Sequence, residues 1–86
     1  MELKKGFIMR QVAGEYVVVN AGANVDLNGV ITLNATAAAL WTRLENPATM
    51  EELTQTLLAE FEVDEATAAQ AAASFVEMLK ERDLLA

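Results

Sequence analysis

Along these 86 residues the spacing of apolar side chains changes period once, and that change limits the fold more than any single motif. From Phe7 to Val12 and from Tyr16 to Val19 the chain is rich in β-branched, aromatic and large apolar residues, separated by the short break Ala13-Gly14-Glu15. That pattern predicts a hairpin. Ala21 to Gly29 is looser, carries two glycines and reads as a loop. Val30-Ile31-Thr32-Leu33 predicts a third short strand, and beyond it apolar residues recur at three- and four-residue intervals, the signature of helix.

Caps divide the helical part into three. Asn34 stands where an N-cap belongs, followed by the stripe Ala37, Leu40, Trp41 and Leu44. Pro47 ends this helix near Asn46, because the residue before proline avoids helical geometry. Thr49-Met50-Glu51-Glu52 has the form of a capping box and opens a second helix with the stripe Met50, Leu53, Leu57 and Phe61. Asp64 caps a third, in which Ala68, Ala72, Phe75, Val76 and Leu79 line one face. A small sheet with one apolar face needs a cover, and the helices supply one. The expected fold class is therefore α+β: a three-stranded antiparallel sheet followed by three helices, forming one domain over residues 1–86. The helix–turn–helix look of Thr49 to Leu79 suggests a winged-helix-like arrangement. Fold alone does not give function.

Composition narrows the function classes. A chain this short buries only roughly 60–65% of the surface its unfolded form exposes, so its core is near the lower limit for an unassisted fold. It has no cysteine, hence no disulfide, no thiolate zinc ligand and no thiol nucleophile, which fits a reducing compartment. Met1-Glu2-Leu3-Lys4-Lys5 is not followed by an apolar run of signal-peptide length, and nothing approaches the ~20 apolar residues of a membrane span. The expectation is a cytoplasmic protein with no membrane partner. The net charge is −7, and the six basic residues Lys4, Lys5, Arg10, Arg43, Lys80 and Arg82 are scattered. Neutralising phosphates takes clustered Lys and Arg, so nucleic acid is not an expected partner. A basic or neutral segment matches the charge better.

Catalytic chemistry has little to draw on. Without histidine or cysteine, the usual base near neutral pH and the strongest nucleophile are both missing. The pairs Glu51/Glu52 and Asp64/Glu65 fall in first turns of helices, where carboxylates cap amides and meet the positive end of the dipole. Glu81/Asp83 reads as a solvated helix end. Asn24 to Gly29 faintly echoes a calcium loop but lacks the first aspartate, and Ala35 stands at the twelfth position, where that loop needs glutamate. No metal, cofactor or catalytic residue is expected. Phe7, Tyr16 and Trp41 have apolar rather than basic neighbours, so core packing outweighs base stacking, with Trp41 the anchor.

Two features go beyond a folded core. Val30-Ile31-Thr32-Leu33 contains no charge, proline or glycine, the devices that usually blunt a sheet edge. The third helix carries small residues beside its stripe, at Ala69, Ala71, Ala73 and Ser74, with the adaptable Met78 one turn later. A strand edge beside a shallow groove suits an extended peptide that adds a strand and inserts alternate side chains. The residues fit equally a strand covered within the fold or in a homodimer, with alanine present for helix propensity.

The run Leu27-Asn28-Gly29-Val30-Ile31-Thr32-Leu33-Asn34-Ala35-Thr36-Ala37-Ala38-Ala39-Leu40-Trp41 resembles the PqqD family, named for coenzyme pyrroloquinoline quinone (PQQ) synthesis protein D. In that pattern a glycine precedes a short strand, then come Leu-Asn, small residues and a Leu-Trp-like pair. Thr49-Met50-Glu51-Glu52-Leu53 and Arg82-Asp83-Leu84-Leu85 look like further family features, so the resemblance covers nearly the whole chain. It implies a non-catalytic recognition element, or peptide chaperone, for ribosomally made, post-translationally modified peptides. Such a domain binds the leader of a precursor peptide and presents it to a modifying enzyme, often a radical S-adenosylmethionine protein, in PQQ or related pathways. Carried over, the resemblance points to Val30, Ile31, Thr32 and Leu33 for main-chain pairing, and to Ala71, Phe75 and Met78 for the groove wall. The sparse basic residues are compatible with an acidic leader contacting the hairpin through Lys4, Lys5 or Arg10. The competing readings are a winged-helix DNA-binding or regulatory domain and a homodimerising structural module.

Overall fold

A computed structural model describes residues 1–20 and 31–86. Strands β1 (Phe7–Val12), β2 (Glu15–Asn20) and β3 (Ile31–Leu33) are followed by helices α1 (Ala35–Arg43), α2 (Met50–Glu60) and α3 (Glu65–Glu81). The sheet is antiparallel in the order β1-β2-β3, in register Val12 opposite Glu15 and Tyr16 opposite Leu33. The expected α+β architecture of three strands and then three helices is the one observed. Val30 and the loop from Ala21 to Gly29, with its calcium-like echo, lie outside the described residues.

The hairpin turn is tighter than the three-residue break read from the sequence. Glu15 pairs with Val12, which leaves only Ala13 and Gly14 in the turn, at φ 51° and 83°. Positive φ at both central positions gives a twist that matches the flanking strands. Gly14 adopts it freely, whereas Ala13 does so at a cost of roughly 1–2 kcal/mol.

Each helix begins at the cap its sequence foretold. The Asn34 side chain accepts from the Ala37 amide, Thr49 and Glu52 form a reciprocal capping box, and Asp64 accepts from the Thr67 amide. The core lies between sheet and helices: Val18 and Leu33 from the sheet, Leu40 and Trp41 from α1 with Leu44 at its C-cap, Leu53 and Leu57 from α2. From α3 come Ala68, Ala72, Phe75, Val76 and Leu79, all five members of the expected stripe.

The stripe read for α2 needs correction at both ends. Met50 is exposed, Phe61 is half-buried past the last helical residue, and Thr54 is buried in their stead. Helical side chains lean toward the N-terminus, so a residue in the first position projects past the layer it would otherwise pack on. Thr54 is tolerated because its hydroxyl donates to the Met50 carbonyl at 3.1 Å.

The two chain ends close the domain. Leu3 bridges Leu85, the Lys4 amide donates to the Leu84 carbonyl at 2.8 Å, and the Ala86 amide donates to the Glu2 carbonyl at 3.0 Å. Met1 and Ala48 exchange two hydrogen bonds, and the Lys4 ammonium meets the Asp83 carboxylate at 2.7 Å. No helix among the described residues is long and apolar enough to cross a membrane.

Candidate functional site

The sheet has two edges, β1 and β3, and no further strand flanks either among the described residues. Arg10 stands in the middle of β1, a charge of the kind that discourages another strand from joining. β3 has no such guard. Its core face carries the half-buried Ile31 and the buried Leu33, and Thr32 between them is exposed. Successive residues of an antiparallel strand aim their amides and carbonyls alternately to either side, so part of the β3 main chain is available to an added strand.

Beside β3 runs a groove of about 280 Å³. Its floor is Leu33, Leu40 and Phe75, and its far wall is the α3 row Ala71, Ser74 and Met78. These α3 residues follow the three- and four-residue spacing of a single helix face. Ala71 and Ser74 keep the wall low, and half-buried Met78 closes one end. The near side is the β3–α1 junction, where Thr32, Asn34, Thr36 and Ala37 meet the opening. Asn34 sets this junction: its Oδ1 accepts from the Ala37 amide at 2.8 Å and from the Thr36 hydroxyl at 2.9 Å. That side chain is committed to holding the turn from strand to helix.

Of the residues singled out from the sequence, Thr32, Leu33, Ala71, Phe75 and Met78 line one groove, and Ile31 sits on the same strand just before it. Phe75 is only 5% exposed, so it is as much core as lining. Ala69 and Ala73, also read as flanking small residues, are exposed and not part of this lining. Sequence reasoning missed the contribution of α1. Ala37 and Leu40 were assigned to the core stripe, yet their place four and seven residues after Leu33 sets them on the side of α1 that continues the β3 floor. Of the cations considered for contact with an acidic leader, Lys4 is engaged by Asp83, and Arg10 sits on β1 with β2 between it and the β3 edge, away from the groove.

The groove lining contains no titratable side chain. The carboxyls held below their ordinary range lie elsewhere, at helix starts. Glu52 is lowered chiefly by the hydrogen bond from the Thr49 amide, and further by the Thr49 hydroxyl and the Arg43 guanidinium at 2.7 Å, against some desolvation. Asp64 is lowered by the hydrogen bond from the Thr67 amide at 2.7 Å. What the groove offers is main-chain hydrogen bonding along β3 and apolar contact beside it.

The family model for coenzyme PQQ synthesis protein D matches residues 15–85, which span β2 through the closing turn after α3. The chain belongs to the PqqD family. No curated protein matches this PqqD-family chain. Among solved structures, lasso peptide synthetase B1 complexed with the leader peptide is 25% identical, with a TM-score of 0.73. That match covers 96% of this chain and 93% of that one. TbiB1 in complex with the TbiA(beta) leader peptide has a TM-score of 0.76 over 99% of this chain and 94% of that one. At 22% identity, this second likeness speaks for the fold.

Proposed function

We propose that this PqqD-family domain is a recognition element for ribosomally made, post-translationally modified peptides. It binds the leader segment of a precursor by strand addition to β3 and presents the remainder to a modifying enzyme, with no chemistry of its own. The observation that carries the reading is the uncharged, unguarded edge of β3 lying directly against an apolar groove. The family, and the leader-bound state of a structure alike in fold, support it. Ile31, Thr32 and Leu33 form the docking rail through their main chain. Alternate leader side chains enter the groove against Ala71, Phe75 and Met78. Each apolar side chain buried there contributes about 1.5–3 kcal/mol. The enzyme served is of the radical S-adenosylmethionine type, and the setting is the cytoplasm.

Titration with the cognate leader, followed by amide resonances, tests this directly. The amides of Ile31 to Leu33 are expected to shift, while those of Glu51 and Glu52 stay nearly unmoved. Shifts confined to α2 would sink the proposal.

A further inference from the structure

An antiparallel sheet with one covered face usually alternates apolar-in and polar-out, and the hairpin breaks that rule. On the face turned away from the helices, register places Ile8 opposite Val19, Arg10 opposite Val17, and Val17 opposite Thr32, with Val12 diagonal to Val17. Ile8 is 39% and Val12 56% exposed, and Val17 and Val19 are half-buried. The result is a contiguous apolar patch with one guanidinium inside it. Arg10 takes no part in the ion pairs among the described residues, which are Lys4–Asp83 and Arg43–Glu52.

We propose that this outer sheet face is the docking surface for the modifying enzyme, which meets it with an apolar segment carrying a carboxylate opposite Arg10. The proposal rests on the leader-binding reading. Charge selects the occupant. Residues 1–20 carry Lys4, Lys5 and Arg10 against Glu2 and Glu15, whereas residues 31–86 carry three cations against ten carboxylates. A second copy stacked face to face would bring the two Arg10 side chains toward each other, at the centre of a patch with no carboxylate but the rim residue Glu15. A second copy offering its acidic helices would make a head-to-tail contact, which builds a ring or a filament rather than a simple pair. An apolar, acidic partner satisfies both the patch and the arginine.

Position gives the surface its use. A leader added to β3 lies next to Thr32 in the same sheet, and every second leader side chain then emerges on the outer face. An enzyme seated there touches domain and leader together. It therefore binds the loaded domain more tightly than the empty one, and by linkage the leader binds more tightly in its presence.

The test uses the full chain, its cognate leader and the purified enzyme that modifies that precursor. Ile8→Glu with Val12→Glu, and separately Arg10→Glu, should weaken enzyme binding by about tenfold or more, with Arg10→Lys retaining most of it. Leader affinity of the same variants should stay within about twofold, because the altered side chains are remote from the β3 edge. Enzyme binding that ignores all these substitutions would overturn the proposal. So would a concentration-dependent dimer in sedimentation that Val12→Glu abolishes, since the face would then belong to a second copy. A domain that binds the enzyme through this face but no leader would refute the leader-binding reading and leave the surface standing.

Discussion

The two edges of the sheet are built on one plan and guarded differently. β1 is six residues long, carries Arg10 at its middle and follows Lys4 and Lys5. It neighbours a wide groove beside α1, about 740 Å³, lined by Met9 and Tyr16, by the small residues Ala35, Ala38 and Ala39, and by Ala59 of α2. β3 is three residues long and uncharged, and its groove is about 280 Å³. Volume alone favours the first site. Backbone chemistry favours the second, because a peptide in extended form needs main-chain partners, and a charged edge strand is a standard means of refusing them. The wider groove also carries Arg43 and Glu60 on its border, whereas the β3 groove has no charged residue in its lining. The difference teaches that an edge open to strand addition is recognised by what it lacks.

The sharpest way to break this comparison is to remove an edge amide. Of Ile31→Pro and Thr32→Pro, one deletes a donor aimed at β2 and the other a donor aimed at the open side. The second is expected to keep the fold and lose leader affinity on the order of a hundredfold, about 2.8 kcal/mol. Binding measured by calorimetry beside the amide spectrum of each variant distinguishes them. If both folded variants bind like the parent, β3 is not the rail.

A smaller effect is expected from filling the grooves in turn. Ala71→Phe places a ring in the β3 groove and should weaken the leader about tenfold, ~1.4 kcal/mol. Ala59→Phe does the same to the wide groove and should change affinity by no more than about twofold. The reverse ranking would move the site to the β1 side.

Stability can be perturbed without touching either edge. Thr49→Ala removes the α2 cap, whose hydroxyl accepts from the Glu52 amide at 3.1 Å. The expected loss is about 1 kcal/mol, a fall in Tm of roughly 4–8 °C for a domain of this size, with leader affinity unchanged once the variant is folded.

How much of this was legible before the fold was known follows from which signals are local. Caps, the α3 stripe and the uncharged strand are patterns within a few residues; caps and stripe stand where the sequence put them, and the strand does so over Ile31–Leu33. Ala71, Phe75 and Met78 were pointed to by the family resemblance, and fixed helical spacing is why all three fall beside one groove. The role of α1 was not, since Ala37 and Leu40 belong to the core by periodicity and to the groove only by the angle at which Asn34 turns the chain. Nor was the pairing of Leu3 with Leu85, a single bridge with no period to announce it. The exposed Met50 shows the same limit: a stripe tells which face turns inward but not where the core beneath it ends.

The smallest effect separates the two kinds of site by pH. Glu52 and Asp64 have folded-state values lowered by capping hydrogen bonds, from the Thr49 and Thr67 amides first. A carboxyl with a depressed folded value contributes stability that is fully present above its unfolded value and lost as pH falls through the folded one. Thermal stability should therefore decline on the acid side, from the ordinary carboxylate range downward. Glu52→Gln with Asp64→Asn keeps residues that can still cap but cannot titrate, so this part of the decline should flatten while neutral-pH stability barely moves. Both groups are solvent-exposed, so the change is expected to be slight and is best read as a difference in slope of Tm against pH. The β3 groove contains no titratable side chain. With a leader free of groups that titrate in that range, affinity should stay level over the same pH interval for as long as the domain is folded. Affinity that instead tracks the capping carboxyls would couple the helix starts to the β3 edge, and the two regions could no longer be treated as independent.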